Sequence, residues 1–145
     1  MNAKTGSVIA FAGAVAGLAF LIWRQSLFAT SPIGIAVQVL AFGLMVWARI
    51  TFGRRSFHAA ADPTAGGLVT HGPYRYWRHP IYAAILYFVW AGVPSHPTWQ
   101  AAAGAGFISV CLVARMLCEE SFLREEFPGY AAYARQTKRV IPFVV

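Results

Sequence analysis

Acid is the scarcest thing in this chain. Five Asp and Glu stand against twelve Lys and Arg, and charged residues fill only 12% of 145 positions, where a soluble domain carries about 25%. With 58% hydrophobic residues and a mean hydropathy of +0.54, that shortage excludes an ordinary water-soluble domain. Cysteine is nearly missing too. Cys111 and Cys118 are the two present; a zinc site needs closer spacing and further ligands. His58, His71, His79 and His96 add no such pattern, so no metal site is expected and both thiols read as buried and reduced. There is no G-x-G-x-x-G turn of the kind that follows a strand in soluble dinucleotide folds. Neither a repeat nor a low-complexity tract occurs.

What is present is length without charge. Residues 7–23 and 98–114 each run seventeen positions without a charge, 33–48 runs sixteen and 81–93 thirteen. A spanning helix needs about 20 mostly apolar residues, roughly 17–25 once flanks are counted. The first, second and fourth runs qualify. The third is short, and is expected either to form a tilted hairpin with the fourth through Pro94-Ser95-His96-Pro97 or to begin within the interface. The expected fold is therefore all-α: a polytopic transmembrane helical bundle of about four spans with cytoplasmic C-terminal helices. One membrane domain covers 1–145, with two spans in 1–48 and the polar, chemistry-bearing segments in 49–145.

Residues 7–23 exceed the apolar core of a signal peptide, about 7–15 residues, so they read as a retained span. Gly13 and Gly17 form a G-x-x-x-G within it, and residues 101–106 make a second small-residue face; both suit close helix packing in lipid. The net charge of +7 would suggest nucleic acid in a soluble protein, but its distribution points to a membrane instead. With four spans, Lys4, Arg49, Arg54, Arg55, Arg75, Arg78, Arg115, Arg124, Arg135, Lys138 and Arg139 fall on one side and Arg24 alone on the other. Basic residues collect on the cytoplasmic side, which places both termini and the 49–80 loop there. Trp23, Trp47, Trp90 and Trp99 fall near span ends, where indoles favour the interface.

Three polar features interrupt this pattern. The first is Gly67-Leu68-Val69-Thr70-His71-Gly72-Pro73-Tyr74, a turn-rich approach to the third run. The second is Tyr76-Trp77-Arg78-His79-Pro80-Ile81-Tyr82. Pro80 suits the first turn of a helix, where its missing N–H is harmless, and the open amides there, beside Arg78 and His79, make a corner for a carboxylate or other anion. Tyr76 and Trp77 read as interfacial anchors. The third feature is Arg115-x3-Glu119-Glu120. Arg115 and Glu119 share a helix face at i,i+4, whereas Glu120 points about 100° away. One arginine does not neutralise two carboxylates, so a cationic ligand is expected. A plain intrahelical ion pair is the alternative, although ionisable residues at a span edge are usually paired or functional. Beyond Arg115 the helix is expected to continue to Glu126, to end at Pro128-Gly129, and to be followed by an amphipathic stretch over 130–139.

In this order, Leu68-Val69-Thr70-x-Gly72-Pro73-Tyr74, Arg78-His79-Pro80-x-Tyr82, Arg115-x3-Glu119-Glu120, then Phe127, Tyr130, Tyr133 and Ile141-Pro142-Phe143, the chain resembles the isoprenylcysteine carboxyl methyltransferase family over 49–143. Phospholipid N-methyltransferases share much of the pattern. The resemblance implies an integral membrane methyltransferase, not of the Rossmann type, that uses S-adenosylmethionine in a cytoplasmic pocket. Residue by residue, it implies cofactor contacts at Gly66, Gly67, Leu68, Val69, Tyr74, His79, Pro80, Ile81, Tyr82 and Glu119, with Glu120 as the second carboxylate. Arg115 matches the substrate-side arginine, and Arg115 with Glu119 is the implied catalytic pair. Gly66-Gly67 replaces bulkier polar residues of eukaryotic relatives, and about four spans is fewer than many relatives have.

The residues suit such a cofactor. Arg78, His79 and the helix start suit its carboxylate, Glu119 or Glu120 its ammonium or ribose hydroxyls, and Tyr74 and Tyr82 its adenine or sulfonium. With Arg115 as a bidentate clamp, the favoured reaction is carboxyl O-methylation of an isoprenylcysteine-like or other amphiphilic acceptor entering from membrane lipid. The alternatives are phospholipid or lipid-amine N-methylation, a membrane reductase using a phosphorylated nicotinamide dinucleotide, and a non-enzymatic helical protein. Nucleic acid is not an expected partner.

Overall fold

The computed structural model describes residues 3–53 and 68–141. They form α1 (Ala3–Trp23), α2 (Pro32–Phe52), α3 (Pro80–Gly92), α4 (Trp99–Glu126) and α5 (Tyr130–Gln136), with 3₁₀ turns at Gly72–Arg75 and Val93–Ser95. No named strand occurs among the described residues, and the fold is an all-α helical bundle. By length and composition α1, α2 and α4 can cross a membrane, which marks an integral membrane protein. Helix α3, at 13 residues, reaches only about 20 Å against a hydrocarbon core of about 30 Å. The expected set of about four spans is thus three helices of spanning length and one short one.

Local sequence explains the helix boundaries. Ser31 Oγ accepts from the Gly34 N–H at 3.1 Å, with Pro32 in the first turn. Thr98 Oγ1 accepts from the Ala101 N–H at 3.2 Å; both hydroxyls satisfy donors that a helix start leaves open. Helix α4 runs through Arg115 without a break because no proline or turn glycine intervenes before Pro128-Gly129.

Burial is arranged for lipid rather than water. The side of α2 packed inward carries Gly34, Gln38, Ala41 and Ala48. Its largest side chains face out, with Ile33, Val39, Leu40, Phe42 and Ile50 all at least 64% exposed. Lipid tails do not drive large apolar side chains inward, so small residues that let backbones approach make the better interface.

Helix α1 lies along α4 and α2 along α3. A Cβ on Gly13 would sit 2.8 Å from Cys111 Sγ, and one on Gly17 2.6 Å from Ile108 Cγ1. From the other side, a Cβ on Gly104 would meet Leu21 Cδ2 at 2.7 Å. The G-x-x-x-G of α1 therefore forms this interface, whereas Gly106 of the second small-residue face looks into open space. Leu21, Val89, Ile108 and Leu112 make the buried core.

Both short connections lie at one end, and hydrogen bonds join them. Ser95 Oγ accepts from the Thr30 N–H at 2.9 Å, and His96 Nε2 lies 2.9 Å from the Phe28 carbonyl. Buried Gln38 donates to the carbonyls of Leu27 and Phe88 at 2.8 and 3.0 Å and accepts from the Ala29 N–H at 3.0 Å. The polar cluster sits at the opposite end.

Candidate active site

The approach to α3 is a turn built on glycine. Gly72 adopts φ +60, and a Cβ there would strike the Thr51 side chain. Pro73 then opens the 3₁₀ turn and buries Tyr74, whose ring lies 5.4 Å from that of Phe52. The Tyr74 carbonyl accepts from Tyr133 Oη of α5 at 2.7 Å. Burial pushes the Tyr74 hydroxyl well above the usual phenol range, so it stays a neutral phenol. Pro80 is the first residue of α3, as expected.

His79, the residue just before α3, is buried and stacks on Tyr82 with ring centroids 5.6 Å apart. Its two nitrogens face two carboxylates: Nδ1 lies 3.7 Å from Glu119 Oε2 and Nε2 3.4 Å from Glu120 Oε1. Helix α4 supplies both acids, and the two differ sharply.

Glu119 keeps a 21% exposed side chain. Its Oε1 accepts from Tyr82 Oη at 2.5 Å and lies 3.1 Å from Arg115 Nε. Tyr82 Oη in turn accepts from Arg115 Nε at 2.5 Å, which makes a relay of arginine, phenol and carboxylate. Arg115 itself is 4% exposed. Its Nη1 donates to the Ser7 carbonyl at 3.3 Å, and its guanidinium carbon lies 4.9 Å from the centre of the Phe11 ring. The start of α1 therefore covers Arg115.

Glu120 has a side chain only 3% exposed and is surrounded by cations. Arg78 Nη1 donates to Oε1 at 3.1 Å, and Arg139 grips both oxygens through Nε at 2.9 Å and Nη2 at 3.0 Å. Arg124 Nη2 adds a contact at 3.4 Å. The premise that one arginine leaves a carboxylate in need of a ligand cation fails for Glu120, because its cations come from three other places in the chain. The Glu120 hydrogen bond holds Arg139 more firmly charged than usual.

Arg139 arrives on a tail that pairs with the segment before α3. The Arg78 N–H donates to the Lys138 carbonyl at 2.6 Å, the His79 N–H to the Arg139 carbonyl at 3.2 Å, and the Lys138 N–H to the Tyr76 carbonyl at 3.2 Å. Tyr87 Oη also donates to the Val140 carbonyl. One member of the anion corner expected at the start of α3 is engaged elsewhere: the Arg78 guanidinium goes to Glu120, while the N–H groups of Arg78 and His79, which precede the helix, go to the tail. Of the two expected anchors, Tyr76 is exposed, whereas Trp77 is partly buried and its indole N–H donates to Tyr87 Oη at 3.4 Å.

The structure thus brings together His79, Pro80, Tyr82, Arg115, Glu119 and Glu120, with Tyr74 beside them. Leu68, Val69 and Ile81 are half-buried, and Gly66 and Gly67 lie outside the described residues. Ser7, Phe11, Arg124 and Arg139 were not singled out from sequence for this cluster; a basic residue before the Ile141-Pro142 ending was the available signal for Arg139. Cys111 lies in the α1–α4 interface, one turn before Arg115 on α4. The sequence profile of the phospholipid methyltransferase family matches residues 29–129, well over half of the chain. No curated protein and no solved structure gives a significant match.

Proposed function

Because the chain belongs to the phospholipid methyltransferase family, we propose that this membrane methyltransferase transfers a methyl group from S-adenosylmethionine to the amine of a phospholipid-like headgroup, at the cytoplasmic face. The sequence alone favours a carboxylate acceptor, on the strength of Arg115 as a clamp. The observation that turns the choice is the engagement of Arg115: it is buried against Tyr82, Glu119, the Ser7 carbonyl and the Phe11 face. A guanidinium held this way fixes Glu119 rather than an incoming carboxylate.

The residues present suit the cofactor. Glu119 is a carboxylate with an open edge, fit for an ammonium or ribose hydroxyls, and Leu68, Val69 and Ile81 offer partly buried apolar surface for an adenosine. When bound, S-adenosylmethionine supplies an electrophilic methyl group. Tyr82 and Arg115 hold the Glu119 carboxylate in one orientation, which limits the reorganisation needed on binding. An acceptor amine attacks only when unprotonated. Arg78, Arg115, Arg124 and Arg139 outnumber Glu119 and Glu120, and the surplus positive charge at this end draws the phosphate of a headgroup. The start of α1 over Arg115 keeps water from that side of the cluster. The cytoplasmic assignment rests on the crowding of Lys and Arg at the end that carries the cluster.

Purified protein in vesicles tests this. With S-adenosylmethionine, phosphatidylethanolamine should gain successive methyl groups on nitrogen, read by mass spectrometry. Methyl esters on an amphiphilic carboxylate, with no lipid-amine product, would overturn the amine reading. No binding of S-adenosylmethionine by folded protein would overturn the donor.

A further inference from the structure

Two acids adjacent in sequence have opposite surroundings, and the difference originates in the last described residues of the chain. Glu120 is closed off by Arg78 from the segment before α3, Arg124 one turn along α4, and Arg139 from the tail. Among the described residues Arg139 alone engages both carboxylate oxygens, at 2.9 and 3.0 Å, the two-pronged geometry that fixes a carboxylate's direction as well as its charge. The tail is itself fastened by three backbone hydrogen bonds to Tyr76, Arg78 and His79 and by Tyr87 Oη at the Val140 carbonyl. It touches His79 through the backbone and Glu120 through the side chain.

We infer that Arg139 is a positioning residue for methyl transfer: by occupying Glu120 and docking the tail on His79, it leaves Glu119 as the carboxylate that receives the cofactor. The inference rests on the proposed role of Glu119. Without Arg139, Glu120 keeps Arg78, His79 and the longer Arg124 contact but loses its two-pronged partner, and a second, less firmly held carboxylate stands beside Glu119. Their repulsion and the loosened His79 ring then disturb Glu119, although Arg139 has no direct contact with it among the described hydrogen bonds and ion pairs. The family match ends at residue 129, so this contribution comes from a part of the chain that the match does not reach.

The test compares Arg139→Gln, Arg139→Lys, Glu120→Gln and the double variant Arg139→Gln/Glu120→Gln in detergent. The readouts are titration with S-adenosylmethionine, KM and kcat on vesicles, and melting followed by helical signal. Arg139→Gln should weaken cofactor binding about tenfold, mostly in KM for the cofactor, and Arg139→Lys should recover part of the loss because it keeps charge without the fork. Residues that act through one another are not additive, so the double variant should bind no worse than Arg139→Gln alone. Should Arg139→Gln fail to fold, the Lys variant carries the same comparison. Unchanged cofactor affinity in folded Arg139 variants, or fully additive losses in the double variant, would overturn the inference while leaving the methyl-donor reading intact. A wild-type protein that does not bind the cofactor overturns the donor reading first, and this inference with it.

Discussion

The two ends of the bundle solve the same problem with different chemistry. At the end with the short connections, Gln38, Ser95 and His96 tie backbone groups of Leu27, Phe28, Ala29, Thr30 and Phe88 together. At the other end, Glu119 and Glu120 hold a set of guanidiniums, a histidine and two segments distant in sequence. Side chains that carry no charge, such as Gln38 and Ser95, satisfy backbone polar groups without the desolvation cost of a charge. Among the described residues, the ion pairs of Glu119 and Glu120 gather where one helix, α4, runs on past its apolar stretch, and there the charges orient one another. On the proposed function, the first end holds the bundle together and the second receives a ligand.

If that division is right, the largest single loss of function comes from Glu119→Gln. The change keeps the side chain's size and removes the charge that faces the open edge. It leaves Arg115 buried with a neutral acceptor in place of a carboxylate, and a hydrogen bond to a charged group contributes about 1.5–3 kcal/mol. Cofactor affinity should fall on the order of a hundredfold in titration, with helical signal retained. Affinity equal to wild type would break the assignment of this end as the site.

Gln38→Leu probes the other end. It fills similar space but strands the carbonyls of Leu27 and Phe88 and the Ala29 N–H, and an unsatisfied buried group costs about 1–3 kcal/mol. The expected result is a clear fall in resistance to thermal or detergent unfolding, with cofactor affinity in the surviving folded protein unchanged. A variant that melts normally but loses the cofactor would show that the two ends are coupled rather than divided.

How much of this was legible in the sequence follows from the range over which each interaction acts. The spans show as charge-free runs, the start of α3 as Pro80, and the length of α4 as the absence of a breaker before Pro128-Gly129. The Arg115–Glu119 pair is written in its i,i+4 spacing. The saturation of Glu120 is not, because Arg78 and Arg139 reach it across folds of the chain that no periodicity encodes. The same holds for Gln38, which looks like an isolated polar residue in an apolar run until the Leu27 and Phe88 carbonyls are brought beside it. Arg115 read as a clamp for a ligand because its cover, Ser7 and Phe11, comes from the opposite end of the sequence.

Tyr82→Phe is the mildest of these changes and the one that divides the site end most finely. It deletes one oxygen, which accepts from Arg115 Nε and donates to Glu119 Oε1, and leaves the ring stacked on His79. Arg115 Nε lies 3.1 Å from Glu119 Oε1, so the ion pair persists and only the orientation it shared with the phenol is relaxed. A hydrogen bond to a charged group contributes about 1.5–3 kcal/mol, part of which the surviving pair retains, and the expected loss is about tenfold or less. Its division between KM and kcat carries the information. A loss confined to KM for the cofactor means that the phenol only steadies Glu119, whereas a fall in kcat with normal cofactor affinity would put Tyr82 against the reacting atoms.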